Sequence, residues 1–170
     1  MRRTPNAKKV KAGVKENHFR LEFMDTTLRD GEQTQGVALT SEEKLTLAHV
    51  LIEKIGVDRI EVASARVSKG EGKSLRKITA WARKTGVLER IEVLGFCDLN
   101  KSADWIREGG GNVMNLLVKG SLKHLQNQLK KTPSQHVDDI TKTVEYCAKV
   151  GIRCNCYLED WSNGMQEKEN

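Results

Sequence analysis

The feature that most constrains the fold of this sequence is a repeated alternation between short apolar runs and segments of helical periodicity. The apolar runs are FRLEFM (19–24), RIEVASA (59–65), RIEVLGF (90–96), NVMNLLV (112–118) and IRCNCYLED (152–160). Each run has the length of a strand, and the helical segments between the runs end near glycines. Strands that alternate with helices at short intervals predict a parallel α/β architecture.

Local signals mark where several of the helices begin and end. Thr40 and Glu43 have the spacing of a capping box, and Gly56 follows the apolar positions of that helix. Pro133 stands at a plausible first position of a later helix, which Gly151 ends. These signals support the alternation independently of hydrophobicity.

Two parallel architectures fit this alternation. Five strands can complete an open doubly wound sheet. A (β/α)8 barrel needs about 250 residues and is cut short in a chain of 170 residues. Periodicity alone leaves both open. In either architecture, catalytic and binding groups collect at the carboxyl ends of the strands.

Charge divides the chain into a leader and a body. Residues 1–18 contain six Lys and Arg residues and one acidic residue, so they carry most of the net charge of +6. We expect a disordered leader over 1–18 and a folded domain over 19–170, with nucleic-acid contact or targeting as the alternative role of the leader. No apolar run approaches the about 20 residues that span a bilayer, so no membrane partner is expected.

Cysteine usage indicates a reducing compartment. The four cysteines are Cys97, Cys147, Cys154 and Cys156, and none forms a CxxC pair. We expect reduced thiols in a cytoplasmic protein rather than disulfides or a zinc site.

Charged residues are concentrated directly after the first apolar run. Asp25, Arg29, Asp30 and Glu32 fall within eight positions there, and Glu159 ends the fifth run. A carboxylate beside an arginine suits a divalent metal and a substrate oxyanion, and a second carboxylate can transfer protons. A solvated turn with a local Asp–Arg pair is the alternative interpretation.

The run DTTLRDGEQTQG (25–36) resembles the signature of the α-isopropylmalate, homocitrate and citramalate synthase family. The similarity continues through DRIEVASARVSKGE (58–71), RIEVLGF (90–96), NLLVKGSLKHL (115–125) and YLEDWSNGM (157–165). These are metal-dependent enzymes that condense acetyl-coenzyme A with an α-keto acid, and for this chain the resemblance implies a role in leucine or isoleucine biosynthesis. The resemblance implies an α/β fold that is a partial (β/α)8 TIM barrel of about five βα units, truncated at its carboxyl end.

The resemblance also implies roles for individual residues. Asp30 matches the metal-binding aspartate, with Mg²⁺ or Mn²⁺ expected and Zn²⁺ as an alternative. Arg29 matches the arginine that stabilises the keto-acid oxygen and the enolate, and Glu159 matches a glutamate assigned to acid/base work. Acetyl-coenzyme A is the expected co-substrate, but residues that bind it are not predicted.

Leu94, Phe96 and Leu117 match positions that line the keto-acid side-chain pocket in this family, and Tyr157 lies nearby in the alignment of motifs. Bulky apolar groups at these positions favour the methyl group of pyruvate, as in citramalate synthases. The alternatives are an isopropylmalate synthase that uses 2-oxoisovalerate, and ordinary core leucines with no pocket role.

The sequence departs from the family in two respects that bear on activity, since it lacks the His-x-His pair of a later strand and the keto-acid-binding threonine of the sixth strand. None of its four histidines forms the His-x-His pair that completes the metal site of the family. The resemblance implies a homodimer for full-length members, but we expect this chain to be inactive alone. A non-catalytic half-barrel that assembles with another chain is the alternative from a different class.

Overall fold

Five parallel strands form a single sheet in the computed structural model, which describes residues 20–167. The strands are β1 (Met24–Asp25), β2 (Arg59–Ser64), β3 (Ile91–Phe96), β4 (Val113–Lys119) and β5 (Arg153–Glu159). Their order in the sheet is β1-β2-β3-β4-β5, which is also their order in the chain.

Helices connect the strands and cover one face of the sheet. They are α1 (Ser41–His49), α2 (Lys69–Thr85), α3 (Lys101–Glu108), α4 (Leu122–His124), α5 (Pro133–Lys149) and α6 (Trp161–Gly164). Wider turns extend α1 to Ile55 and α4 to Leu129. The Thr40–Glu43 capping box forms as predicted, Pro133 is the first residue of α5, and Gly56 ends the first helical segment with a φ of 80°.

The strand order decides between the two architectures that periodicity left open. A doubly wound sheet reverses direction at a switch point, so its strand order differs from the chain order. Here every strand pairs with its sequence neighbour, as in a barrel. Hydrogen bonds between strands that are not neighbours show that the sheet is also curled. Asn115 of β4 donates to Glu61 of β2, and the hydroxyl group of Tyr157 in β5 lies 3.0 Å from the sulfur of Met24 in β1. The fold is therefore a partial (β/α)8 barrel.

The outer face of the sheet packs against the helices and forms the apolar core. Side chains alternate between the two faces along each strand. Residues from β2, β3 and β4 supply the buried outer positions Ile60, Val62, Ile91, Val93, Met114, Leu116 and Val118. Leu75, Ile78 and Ile106 of the helices are fully buried in the same cluster.

The first strand is shorter than its apolar run predicts. The run extends from 19 to 24, but β1 contains only Met24 and Asp25. Leu21 and Phe23 are 64% and 62% exposed, so they gain little from strand pairing. The amide of Phe23 donates to the Asp58 carboxylate at 2.8 Å instead of joining a longer ladder. The predicted leader over 1–18 lies outside the described residues.

The four cysteines all lie in the described part of the chain and are free thiols, as the sequence predicts. Burial raises the pKa of the Cys97 thiol to about 11, which keeps it protonated near neutral pH. No helix between residues 20 and 167 is long and apolar enough to cross a membrane.

Candidate functional site

A tight turn at the end of β1 presents the charged residues of the first motif. The carbonyl oxygen of Thr26 accepts hydrogen bonds from the amides of Arg29, Asp30 and Gly31 at 3.1, 2.8 and 3.2 Å. Leu28 is fully buried and anchors the turn in the core. Asp25 accepts from the amide of Thr27 at 2.9 Å, which fixes the entry to the turn. The motif is therefore an ordered structure.

Arg29 lies between two carboxylates. Its Nη1 donates to Asp30 at 2.7 Å and its Nε donates to Glu61 of β2 at 2.5 Å. The side chain of Arg29 is 17% exposed and that of Glu61 is fully buried, whereas that of Asp30 is 58% exposed. A solvated Asp–Arg pair does not describe this geometry, because the guanidinium is held from inside the sheet. The turn therefore places the Arg29 guanidinium toward the interior of the sheet and leaves the Asp30 carboxylate accessible to solvent.

A polar network continues from Glu61 across the inner face of the sheet. Asn115 of β4 donates to the second oxygen of Glu61 at 2.7 Å, and Asn155 of β5 donates to Asn115 at 3.0 Å. The network connects the turn after β1 with β2, β4 and β5. It fixes the plane of the Arg29 guanidinium because the carboxylate that binds it is itself held on both oxygens.

A second buried carboxylate, Glu92 of β3, lies on the same inner face. Arg59 donates to it at 3.1 Å, and the hydroxyl group of Tyr157 lies 3.4 Å from it. The same hydroxyl lies 3.0 Å from the sulfur of Met24. Burial and the neighbouring Glu92 raise the pKa of Tyr157 to about 12, so the phenol stays protonated and can donate a hydrogen bond.

Glu159 stands at the carboxyl end of β5 and pairs with Lys119. The two residues are register partners in neighbouring strands, and the Lys119 ammonium donates to the Glu159 carboxylate. The amide of Lys119 donates to Nε2 of the buried His136 at 3.0 Å. The backbone is tied as well, since the amide of Gly120 donates to the Glu159 carbonyl at 2.7 Å. In the structure, the direct partner of Glu159 is Lys119, not the Arg29–Asp30 pair.

The predicted apolar pocket residues share the inner face of the sheet. Phe96 is the register partner of Leu117, which in turn is the partner of Tyr157. Leu94 precedes Phe96 by two positions on β3 and is 7% exposed, whereas Phe96 is 37% exposed. We call Leu94, Phe96 and Leu117, which occupy neighbouring positions on the inner face of β3 and β4, the apolar patch.

A buried lysine fixes the far side of the first turn. Lys44 of α1 is 2% exposed and its Nζ lies 2.5 Å from Glu32 and 2.8 Å from Glu71 of α2. Burial acts to raise the pKa of Glu32, but the hydrogen bond and charge of Lys44, together with the hydrogen bond from the Leu39 amide, outweigh burial and lower the pKa. Burial raises the pKa of Glu71, whose second oxygen has no hydrogen-bond partner among the described residues. This cluster ties the turn to two helices.

Several of these residues were not predicted from the sequence. They are Glu61, Glu92, Asn115, Lys44 and Lys119. A signal was present for the glutamates, since the run RIEV occurs in both β2 and β3 and places a carboxylate in the middle of an apolar strand. Such a residue on a predicted parallel strand must face a partner, because an uncompensated buried charge is costly.

The residues present do not complete a metal site. Within residues 20–167, no group of three or more His, Cys, Asp or Glu side chains could hold a metal ion. Asp30 is the one predicted ligand, and one of its oxygens is bonded to Arg29. A divalent cation in an oxygen site takes six or more ligands, several of which the protein normally supplies.

Comparison with known proteins identifies relatives along almost the whole described chain. The HMGL-like family matches residues 20–168. A putative (R)-citramalate synthase of Methanothermobacter thermautotrophicus is 35% identical, over 84% of this chain and 27% of its own length. A 2-isopropylmalate synthase of Solidesulfovibrio magneticus is 34% identical, over 84% of this chain and 28% of its own length.

An (R)-citramalate synthase of Methanocaldococcus jannaschii is 37% identical, over 81% of this chain and 27% of its own length. The chain thus spans little more than a quarter of these three curated relatives. Among solved structures, an HMG-CoA lyase of Bacillus subtilis superposes with a TM-score of 0.58 at 19% identity. That match covers 82% of this chain and 46% of the lyase chain, and it supports the barrel fold.

Proposed function

Because the chain belongs to the HMGL-like family, we propose that it forms part of an enzyme that condenses acetyl-coenzyme A with an α-keto acid. The observation that carries this proposal is the Arg29 guanidinium, which the buried Glu61 holds at the carboxyl end of β1 beside the accessible Asp30. The names of the relatives support the reaction class. Pyruvate is the favoured keto acid, with branched-chain amino-acid biosynthesis in the cytoplasm as the context.

The chemistry assigned to this chain follows from its own side chains. Arg29 binds the keto-acid oxygens and stabilises the negative charge that develops on the enolate. Its fixed guanidinium plane means that little reorganisation is needed as that charge appears. Asp30 would contribute one oxygen ligand to a divalent metal in a complete barrel. We derive no step through the metal, since the described residues do not complete its site.

Glu159 is the residue we assign to proton transfer at the acetyl methyl group. A carboxylate that acts as a base must be ionised before it accepts a proton. The Lys119 ammonium forms an ion pair with the Glu159 carboxylate and holds it at the end of β5. Tyr157, with its raised pKa, can donate a hydrogen bond to a substrate oxygen without losing its proton.

The apolar patch of Leu94, Phe96 and Leu117 supports pyruvate as the substrate, because its bulk leaves little room beside the keto carbon. The relative named 2-isopropylmalate synthase keeps 2-oxoisovalerate as the second candidate. One methylene group in an apolar pocket changes specificity by roughly 10–200-fold, so a single position can decide between the two.

A chimeric barrel tests the proposed reaction. Residues 20–167 would replace the matched segment of the Methanocaldococcus (R)-citramalate synthase, and coenzyme A release would be followed with pyruvate and with 2-oxoisovalerate. We expect turnover of pyruvate that falls by roughly 100-fold or more in Arg29→Gln, since a preorganised oxyanion donor is lost. Glu53→Ala, an exposed position on the extension of α1, is the control. A folded chimera without activity on either keto acid would refute the proposal.

Leu117→Gly in the same chimera tests the pocket assignment. Removal of the isobutyl group should open space next to Tyr157 and raise the ratio of 2-oxoisovalerate to pyruvate turnover by roughly 10-fold or more. The matched control is Leu125→Ala, which removes a buried leucine at the start of the α4 extension. An unchanged ratio in Leu117→Gly would mean that this residue does not line the pocket.

The half-barrel geometry supports one further candidate, a non-catalytic subunit that assembles with another chain. Strands β1 and β5 are the edges of the described sheet, and edge strands present unpaired backbone groups. Size-exclusion chromatography with light scattering distinguishes the two cases. A stable complex with a second polypeptide and no turnover in the chimera would favour assembly over catalysis.

A further inference from the structure

A cationic cleft lies between the loop that follows β2 and helix α3, away from the Arg29 network. Its volume is about 630 Å³, and its walls carry Arg66, Lys69, Arg76 and the indole ring of Trp105. No carboxylate side chain lines it among the described residues. The volume lies within the usual range for a small-molecule site.

Charge balance in the cleft leaves two cations without a counter-ion. Arg66 donates to Asp98 at 2.8 Å, so its charge is matched. Lys69 and Arg76 form no ion pair with any residue between 20 and 167. Their repulsion is relieved when a doubly charged anion enters, and a concave wall of one charge sign concentrates such anions.

Gly72 shows that Trp105 and Arg76 border the same part of the cleft. A Cβ atom at Gly72 would lie 3.5 Å from Cζ2 of Trp105 and 3.6 Å from Nη1 of Arg76, both ordinary van der Waals distances. The indole edge and the guanidinium therefore border the same space on the surface of α2.

We propose that this cleft binds a phosphate group, either on a nucleotide or as free pyrophosphate. The unmatched cations Lys69 and Arg76 attract such a group, and the fork of Arg76 can bind two of its oxygens. An aromatic wall beside the cations suits a ligand with a planar base. The proposal concerns residues other than those assigned to condensation, so its outcome is independent of that reaction.

Binding to the chain of 170 residues tests the site directly. The probes are inorganic pyrophosphate, adenosine 3′,5′-bisphosphate and adenosine, followed by isothermal titration calorimetry and by Trp fluorescence. We expect both phosphate probes to saturate at one site, with affinity that falls as salt rises, and adenosine not to bind. If the bisphosphate binds more tightly than pyrophosphate and changes the emission of Trp105, the ligand of the cleft is a nucleotide. If the two bind equally tightly, the cleft recognises the phosphate group alone. No saturable binding of either phosphate probe would overturn the proposal.

Charge-removing variants locate the binding. Arg76→Gln and Lys69→Gln should each weaken phosphate binding by roughly 10-fold, since one charge-assisted contact is lost. Both side chains are exposed, so the fold should persist, and circular dichroism checks this. Lys149→Gln, an exposed residue at the end of α5, makes the same charge change elsewhere. An equal loss of phosphate affinity in all three variants would overturn the assignment to this cleft. The Trp105→Phe variant shows which part of the fluorescence change comes from Trp105 rather than from Trp81 or Trp161.

Discussion

The fully buried positions on the two faces of the sheet are occupied by opposite kinds of side chain. On the inner face Glu61, Glu92 and Asn115 are fully buried, and on the outer face Ile60 and Val93 are equally inaccessible. The outer residues are stabilised by removal of apolar surface from water, at about 25 cal/mol per Å². The inner carboxylates lose their hydration on folding. Hydrogen bonds from arginine, asparagine and tyrosine side chains compensate for that loss. The comparison predicts that the outer face supplies most of the net stability of the sheet, whereas the inner face stays folded only while its charged groups are paired.

Loss of one inner carboxylate is the largest effect we expect. Glu61→Ala would leave Arg29 without its buried partner and Asn115 without an acceptor, so the free energy of unfolding should fall by about 3–5 kcal/mol. Urea denaturation followed by circular dichroism measures this. The exposed Glu53→Ala should stay within about 0.5 kcal/mol of the parent chain. Equal stability of the two variants would show that Glu61 is not an essential member of the network.

Loss of an outer leucine gives a somewhat smaller expected effect. Leu116→Ala removes a fully buried side chain from the centre of β4 and should lower the free energy of unfolding by about 3 kcal/mol, through lost burial and the cavity left behind. The same urea titration applies. A change below about 1 kcal/mol would mean that the outer face is less tightly packed than its burial indicates.

Replacement of both members of the inner ion pair sharpens the comparison. Arg29→Met with Glu61→Leu removes two charges together but still leaves the Asn115 amide without its acceptor, so the double variant should lose about 1–3 kcal/mol, less than Glu61→Ala alone. In the chimeric enzyme the same double variant should be inactive. A double variant as unstable as Glu61→Ala would show that the inner face also stabilises the fold.

The pH dependence of stability at His136 is the smallest effect. Burial lowers the pKa of His136 from its ordinary value of 6.5, with Asp139 opposing and with Lys131 and Lys119 acting in the same direction as burial. The unfolded chain therefore binds the proton at higher pH, and stability should decrease as pH falls below about 6.5. Urea midpoints between about pH 7.5 and pH 5.5 measure this. His136→Gln should flatten the dependence, and an unchanged slope would assign it to other groups.

The fold could be predicted from the sequence further than the site could. Periodicity, capping residues and glycines gave four of the five strands nearly to their ends, because each depends on neighbours in the chain. The strand at 19–24 was overestimated, since apolar residues alone do not show that the side chains of Leu21 and Phe23 stay largely exposed. Periodicity left the choice between barrel and open sheet undecided, whereas the family resemblance implied the barrel, which the strand order confirms.

The site was predictable only where a motif concentrates its residues. Arg29 and Asp30 are adjacent in sequence, so their pairing could be anticipated. The bond between Arg29 and Glu61 joins residues that are 32 positions apart, and that between Asn115 and Glu61 joins residues 54 apart. No local sequence pattern predicts these pairs, because they form only when the curvature of the sheet brings distant segments together. The pairing of Lys119 with Glu159 likewise depends on the β4–β5 register.

The identity of strand order and chain order has a consequence for synthesis on the ribosome. Each strand of this sheet needs only the strand that was made immediately before it, so pairing can advance from β1 to β5 as the polypeptide emerges. The newest strand is always the exposed template for the next. In the described chain that strand is β5, with seven residues and with Leu158 51% exposed, whereas the opposite edge offers only the two residues of β1. Unwanted pairing between nascent chains should therefore begin at β5.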